Sequence, residues 1–189
     1  MSYQTIQIIR KHCKILFLVL LALSSAAPGC LFAEDSAPQE YKVKAAFLYN
    51  FTLFVEWPAE AFTGNDSPLT VCILGKSPFG EAMDSLRGKM AKKRKLVIRQ
   101  INRVEEMGNC HVLFVSTSEK MHLPNILAAI KNQNVLTVSD MDRFAQAGGI
   151  INFITLEDKV RFEINLKAAQ QAGIRISSQL LKLARDVIE

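Results

Sequence analysis

Three hydrophobic patterns divide this chain. Ile15 to Leu23 is an unbroken apolar run, too short to cross a bilayer comfortably. From Tyr41, Val43, Phe47, Phe51 and Phe54 recur at helical spacing, and Pro58 after Trp57 stops the pattern. From Leu69 onward, short apolar runs alternate with helix-spaced stretches. Leu69–Leu74, Val112–Val115 and Val135–Val138 each read as a buried strand. Leu96–Ile101 alternates around Arg99 and reads as a strand near a sheet edge.

Between these strands, Ser77-Pro78 supplies a cap and a first-turn proline, predicting a helix over Pro78–Leu86. A second helix is expected over Pro124–Lys131, with Ile126, Leu127 and Ile130 on its apolar face. After Gly148-Gly149 the period changes. Ile150–Leu156 and Val160–Leu166 flank Glu157-Asp158-Lys159 and predict a hairpin. In its second arm Val160, Phe162, Ile164 and Leu166 face one way, and Arg161, Glu163 and Asn165 the other. Lys167–Gln171 predicts a short helix ending at Gly173. A last helix, capped by Ser177 or Ser178, turns Leu180, Leu183, Ala184 and Val187 inward. Strands separated by helices predict a single α/β domain. Its sheet is mostly parallel, with helices on both faces and a C-terminal antiparallel hairpin.

The first apolar run changes the picture of location. Arg10, Lys11 and Lys14 precede it, and Leu31-Phe32-Ala33 offers a small-residue cleavage site. Residues 1–33 therefore read as a cleaved signal peptide, 34–40 as a flexible polar lead, and 41–189 as the domain. Ala27-Pro28-Gly29-Cys30 keeps lipidation of Cys30 open as an alternative. Without the signal the formal charge falls from +5 to +2, so the basic balance is mostly the signal's own. Export argues against nucleotide-driven chemistry and against nucleic acid as a partner.

Candidate chemistry is sparse. Cys72 and Cys110 remain after cleavage. In an oxidising compartment they read as a disulfide, or as two buried free thiols. Gly75-Lys76-Ser77 resembles the end of a phosphate loop, but Thr70 stands where that loop needs glycine, so helix capping explains it better. Lys89, Lys92, Lys93, Arg94 and Lys95 read as a solvated connecting loop, with weak contact to anionic lipid or an acidic partner as the alternative. Cys72, Cys110, His111 and His122 lack metal-ligand spacing, and His111 reads as structural; no metal and no cofactor are expected. No Gly-x-Ser-x-Gly or signature carboxylate pair is present, so no catalytic residue is named. Arg161, Glu163 and Asn165, with Arg175 nearby, are the most suggestive polar set: candidates for partner contact, or an ordinary solvated strand face on which Glu163 and Arg175 pair to hold the hairpin against the last helix.

Tyr41 to Phe51 with Trp57-Pro58, Val71 to Gly75 with Pro78-Phe79, Cys110 to Phe114 and Val135 to Asp140 form a characteristic series. Phe144 with Gly148-Gly149, Phe153, Arg161 to Leu166 and Ser177 to Leu181 complete it. Together these segments resemble the YfiR-like family of periplasmic proteins. The resemblance implies a periplasmic, non-enzymatic repressor that binds the periplasmic sensor domain of an inner-membrane diguanylate cyclase. It would thereby lower cyclic-di-GMP and biofilm formation. It further implies an OmpA-type outer-membrane lipoprotein that sequesters the repressor, and a stabilising disulfide at Cys72 and Cys110. With Gly75 aligned to Ser116, those two cysteines are offset by about three residues, which a bridge can span. A second cysteine pair of some relatives is absent. A homodimer stays open, and a periplasmic small-ligand binding protein, using the crevice at the strand ends, is the alternative function.

Overall fold

The computed structural model describes residues 36–189. The stretch expected to be a signal peptide, with its expected cleavage site and Cys30, lies outside the described residues. In chain order the elements are α1 (Ser36–Phe54), β1 (Val55–Glu56), β2 (Leu69–Leu74), β3 (Met90–Ala91), β4 (Arg94–Ile101) and β5 (Val112–Val115). There follow α2 (Leu123–Ala129), β6 (Leu136–Ser139), β7 (Ile151–Leu156), β8 (Lys159–Asn165), α3 (Leu166–Gln171), β9 (Arg175–Ile176), α4 (Ser178–Leu183) and β10 (Asp186–Ile188).

Eight strands form one sheet in the order β10-β8-β7-β6-β5-β2-β4-β3. The pairs β4–β2, β2–β5, β5–β6, β6–β7 and β8–β10 are parallel. The β7–β8 hairpin and the β3–β4 pair are antiparallel. β1 and β9 make a separate two-stranded pair. This is the α/β architecture expected from the alternation of runs. β2 and β5 are central and buried at every position, as their unbroken apolar runs require.

The sheet separates two cores. On one face Leu48 and Phe51 of α1 meet Val71, Phe114, Val138, Phe153 and Phe162, with Ala169 of α3 and Leu180 of α4. Phe51 and Phe162 meet edge to face, their ring centroids 5.2 Å apart. On the other face Ile126 and Ile130, from α2 and its C-terminal end, cover Cys72, Leu74, Leu113, Val115 and Phe144. Gly149 has to be glycine, because a Cβ there would run into the Phe144 ring.

Four expectations need correction. α1 begins at Ser36, inside the stretch expected to be a loose lead. Pro38 lies in its first turn, where the missing N–H costs no helical bond. Gly80–Leu86 is a 3₁₀ helix instead of an α-helix from Pro78. Gly80 has φ +51°, and Ser77 Oγ makes only a 3.4 Å contact with the Phe79 N–H, so the expected cap does not launch a regular turn. The last helix stops at Leu183, which is exposed. Ala184 turns to extended backbone, and the Arg185 N–H bonds to the Phe162 carbonyl at 2.9 Å. Val187 thus enters β10, because β8 would otherwise present an unpaired edge. Finally, the basic stretch is the β3–β4 hairpin and not a loose loop.

Candidate functional site: a clasp at the strand ends and a dispersed polar face

The two cysteines are joined. Cys72 of β2 registers with Leu113 of β5, three residues past Cys110, and the Cα atoms of Cys72 and Cys110 lie 5.9 Å apart. The disulfide stitches the central strand to the turn that enters its neighbour, inside the second core.

His111 is structural. Its ring is buried, with Phe62 stacked on it at 4.4 Å and Trp57 edge-on. The Thr70 N–H donates to Nδ1 at 3.1 Å, so Nε2 carries the hydrogen and donates to the Ala61 carbonyl at 3.0 Å. The Trp57 indole N–H donates to the His111 carbonyl at 3.0 Å. Trp57-Pro58 therefore fastens the chain after α1 to the amino end of β5. Burial, and then nearby Arg94, hold the imidazole below its ordinary pKa, partly offset by the Ala61 contact. A depressed histidine pKa makes the unfolded chain the stronger proton binder. Stability is therefore full above about pH 6.5 and falls as the pH drops from there toward the folded pKa. Melting at pH 7.5 and 5.5 is expected to show this loss, and His111→Asn is expected to flatten that part of the pH profile. An identical pH slope in the variant would assign the loss to other groups.

At the carboxyl ends of the strands, α1 is clasped to the loop after β6. Lys44, only 4% exposed, places Nζ 2.7 Å from Asp140 Oδ2 and 2.6 Å from Glu40 Oε1. The Tyr41 hydroxyl donates to the same Asp140 oxygen at 2.7 Å, and Thr155 Oγ1 donates to Glu40 at 3.2 Å. The Asp140 side chain is 7% exposed, and its Oδ1 has no hydrogen-bond partner. Burial, with the Asp140 carboxylate beside it, pushes the Tyr41 hydroxyl far above the usual phenol range. Nothing in the sequence pattern singled out Lys44 or Asp140. The available signal was only a lysine among the apolar positions of the first helix and an aspartate ending a strand.

The crevice expected to hold a small ligand lies between β2 and β5, where the strand order reverses. The chain itself spans it. Ser116 Oγ donates to the Lys76 carbonyl at 2.7 Å, and the Lys76 N–H donates to Ser118 Oγ at 2.9 Å. Gln100 bonds to the Gly75 carbonyl. Gly75 has φ +83°, and a Cβ there would strike Ser118 and Glu119. A cleft of about 410 Å³ opens instead between the start of α1, at Pro38 and Tyr41, and the Pro78–Ala82 turn.

The four residues singled out for partner contact do not come together. Arg161 is exposed on β8, opposite Ile154 of β7. Glu163 is only 8% exposed and does not lie on a solvated face. The segment between β6 and β7 covers it, and it takes Gln146 at 3.2 Å and Arg185 at 3.5 Å. Asn165 caps α3, accepting from the Ala168 N–H and donating to the Ala145 carbonyl, both at 2.8 Å. Arg175 is exposed in the β1–β9 pair and bridges to Glu56 at 2.7 Å. The Glu163–Arg175 pairing that the sequence offered as a structural alternative is therefore replaced by two separate pairs.

A family model described as YfiR/HmsC-like matches residues 41–185. Two solved structures are similar in fold. One is the ABC domain in complex with L-Trp from Streptococcus pneumonia, 13% identical with a TM-score of 0.52, covering 79% of this chain and 60% of that one. The other is a conserved domain protein from Vibrio cholerae, 13% identical with a TM-score of 0.51, covering 78% of this chain and 60% of that one. This chain thus spans 60% of the length of each, and likeness at that identity shows the fold alone.

Proposed function

We propose, from the premise that this chain belongs to the YfiR/HmsC-like family, that it is a periplasmic repressor of an inner-membrane diguanylate cyclase. The observation that carries the reading is the family match from Tyr41 to Arg185, which takes in both cores and the disulfide. Among the described residues, no helix is long and apolar enough to cross a membrane. A protein outside the cytoplasm reaches a cytoplasmic catalytic domain only through a membrane-spanning partner. Repression then works by differential affinity: the protein binds one conformation of the cyclase's periplasmic sensor domain and draws the population toward it. Moving that population from about 1:99 to 99:1 requires roughly 10⁴-fold tighter binding to the inactive form. Sequestration by an OmpA-type outer-membrane lipoprotein would release the brake.

Exposed Arg161 and Arg175 support a docking role. Glu163 and Asn165 are engaged in the fold and act in this reading only by holding the hairpin and α3. Deleting the gene is expected to raise cyclic-di-GMP and biofilm, and the tagged exported protein is expected to capture the cyclase from membranes. Arg161→Glu is expected to weaken that capture while leaving the melting midpoint within about 2 °C, as for other surface changes. Unchanged cyclic-di-GMP in the deletion strain, with the cyclase expressed, would reject the repressor reading.

A further inference from the structure

We infer that the β3–β4 hairpin is a contact surface for anionic phospholipid, through which the protein partitions onto a bilayer. Charge in this chain is concentrated there. Between Ser85 and Asn102 lie seven basic residues and no acidic one. The remaining described residues carry 13 basic against 16 acidic, so the rest of the molecule is net negative.

The fold divides these cations into two kinds. Some are anchors. Arg94 stacks over Phe62 at 3.7 Å and donates to the carbonyls of Gly64 and Ser67, at 2.9 and 2.6 Å. Lys92 donates to the Val55 carbonyl at 2.8 Å. Arg87 is paired with Asp84, and Arg99 bonds to the Glu106 carbonyl. The Tyr49 hydroxyl donates to the Met90 carbonyl at 2.9 Å, tying β3 to α1. The hairpin is thus held at the sheet edge by side chains reaching inward.

Lys89, Lys93 and Lys95 are exposed, with no carboxylate in contact, and of the three Lys89 stands 5.3 Å over the Tyr49 ring. Among them stands Met90, 53% exposed and paired across the hairpin with Lys95. An exposed apolar side chain paired with a lysine on an exposed sheet edge suits the headgroup layer. The methionine reaches the acyl boundary while the lysine stems lie along it and keep their charges at the phosphates. Attraction to an anionic surface fades within a Debye length, about 8 Å at physiological salt, so charges count when they are exposed at the surface, as these three are. Lysine point charges favour this diffuse target over a shaped protein site.

The inference stands without the cyclase, so its test uses vesicles alone. The exported protein is sedimented with vesicles of pure phosphatidylcholine and with vesicles containing roughly one-third phosphatidylglycerol. Binding is expected only to the latter, and is expected to vanish at ~0.5 M salt. The variant Lys89→Gln/Lys93→Gln/Lys95→Gln is expected to lose about 100-fold in partitioning, at about fivefold per lysine. The matched variant Lys120→Gln/Lys131→Gln/Lys182→Gln is expected to change it less than about threefold, and all midpoints to stay within about 2 °C. Equal binding to both vesicle types, salt-resistant binding, or equal losses in the two variants would overturn the inference. So would retention of the protein on polyglutamate by the same three lysines without vesicle binding, which would assign the patch to an acidic protein. The salt titration of the unmodified protein decides the question even if a variant misfolds.

Discussion

Replacing Cys72 and Cys110 together by alanine is expected to lower the unfolding free energy by about 4 kcal/mol. For a domain of this size that corresponds to roughly 8–16 °C in the melting midpoint. The bridge closes a loop with a sequence separation of 38, and opening such a loop in the unfolded chain restores conformational freedom. The loop contains β3, β4 and the turn into β5, so the crosslink limits the excursions of one whole edge of the sheet. Both sulfurs lie in the core beneath α2, and alanine removes packing as well as the constraint. Thermal melts of the protein with and without reductant measure the effect. A midpoint that does not move on reduction would mean that the bridge constrains nothing the sheet does not already hold.

The second large effect is expected at the clasp. Lys44→Met should cost about 3–5 kcal/mol, because it leaves the buried Asp140 carboxylate with only the Tyr41 hydroxyl. Removing the charge as well, in Lys44→Met/Asp140→Asn, should return about 1–3 kcal/mol of that loss. The recovery separates a penalty for an unpaired buried charge from simple loss of the lysine's packing. Urea midpoints of the two singles and the double provide the cycle. If the double unfolds where the Lys44→Met single does, the ion pair is not coupled and α1 is held by its aromatic face alone. The clasp fixes the first turns of α1 beside the cleft at Tyr41, so loosening it would move one wall of that cleft.

Much of this protein was legible in its sequence because the decisive signals are local. The runs Leu69–Leu74 and Val112–Val115 are strands at the predicted bounds, since an apolar run between glycine and polar turns has few other uses. The hairpin alternation from Val160 to Ile164 set which side chains face α1, and the alignment of Gly75 with Ser116 anticipated the offset of the bridged cysteines. Tertiary structure decided the rest. Period-2 patterning told that Glu163 faces away from the first core, but not that Gln146 and Arg185 would cover it, because the covering chain lies far along the sequence or across the sheet. Val187 has a helical neighbour pattern, yet the free edge of β8 offers it backbone partners that a short last helix cannot match. β1, β3, β9 and β10 are two or three residues long, too short to carry a period, and exist only because another strand is there to pair with. Lys44 and Asp140 are 96 positions apart. Each is an ordinary charged residue in its own segment, and only the packing of α1 across the sheet turns them into a buried pair.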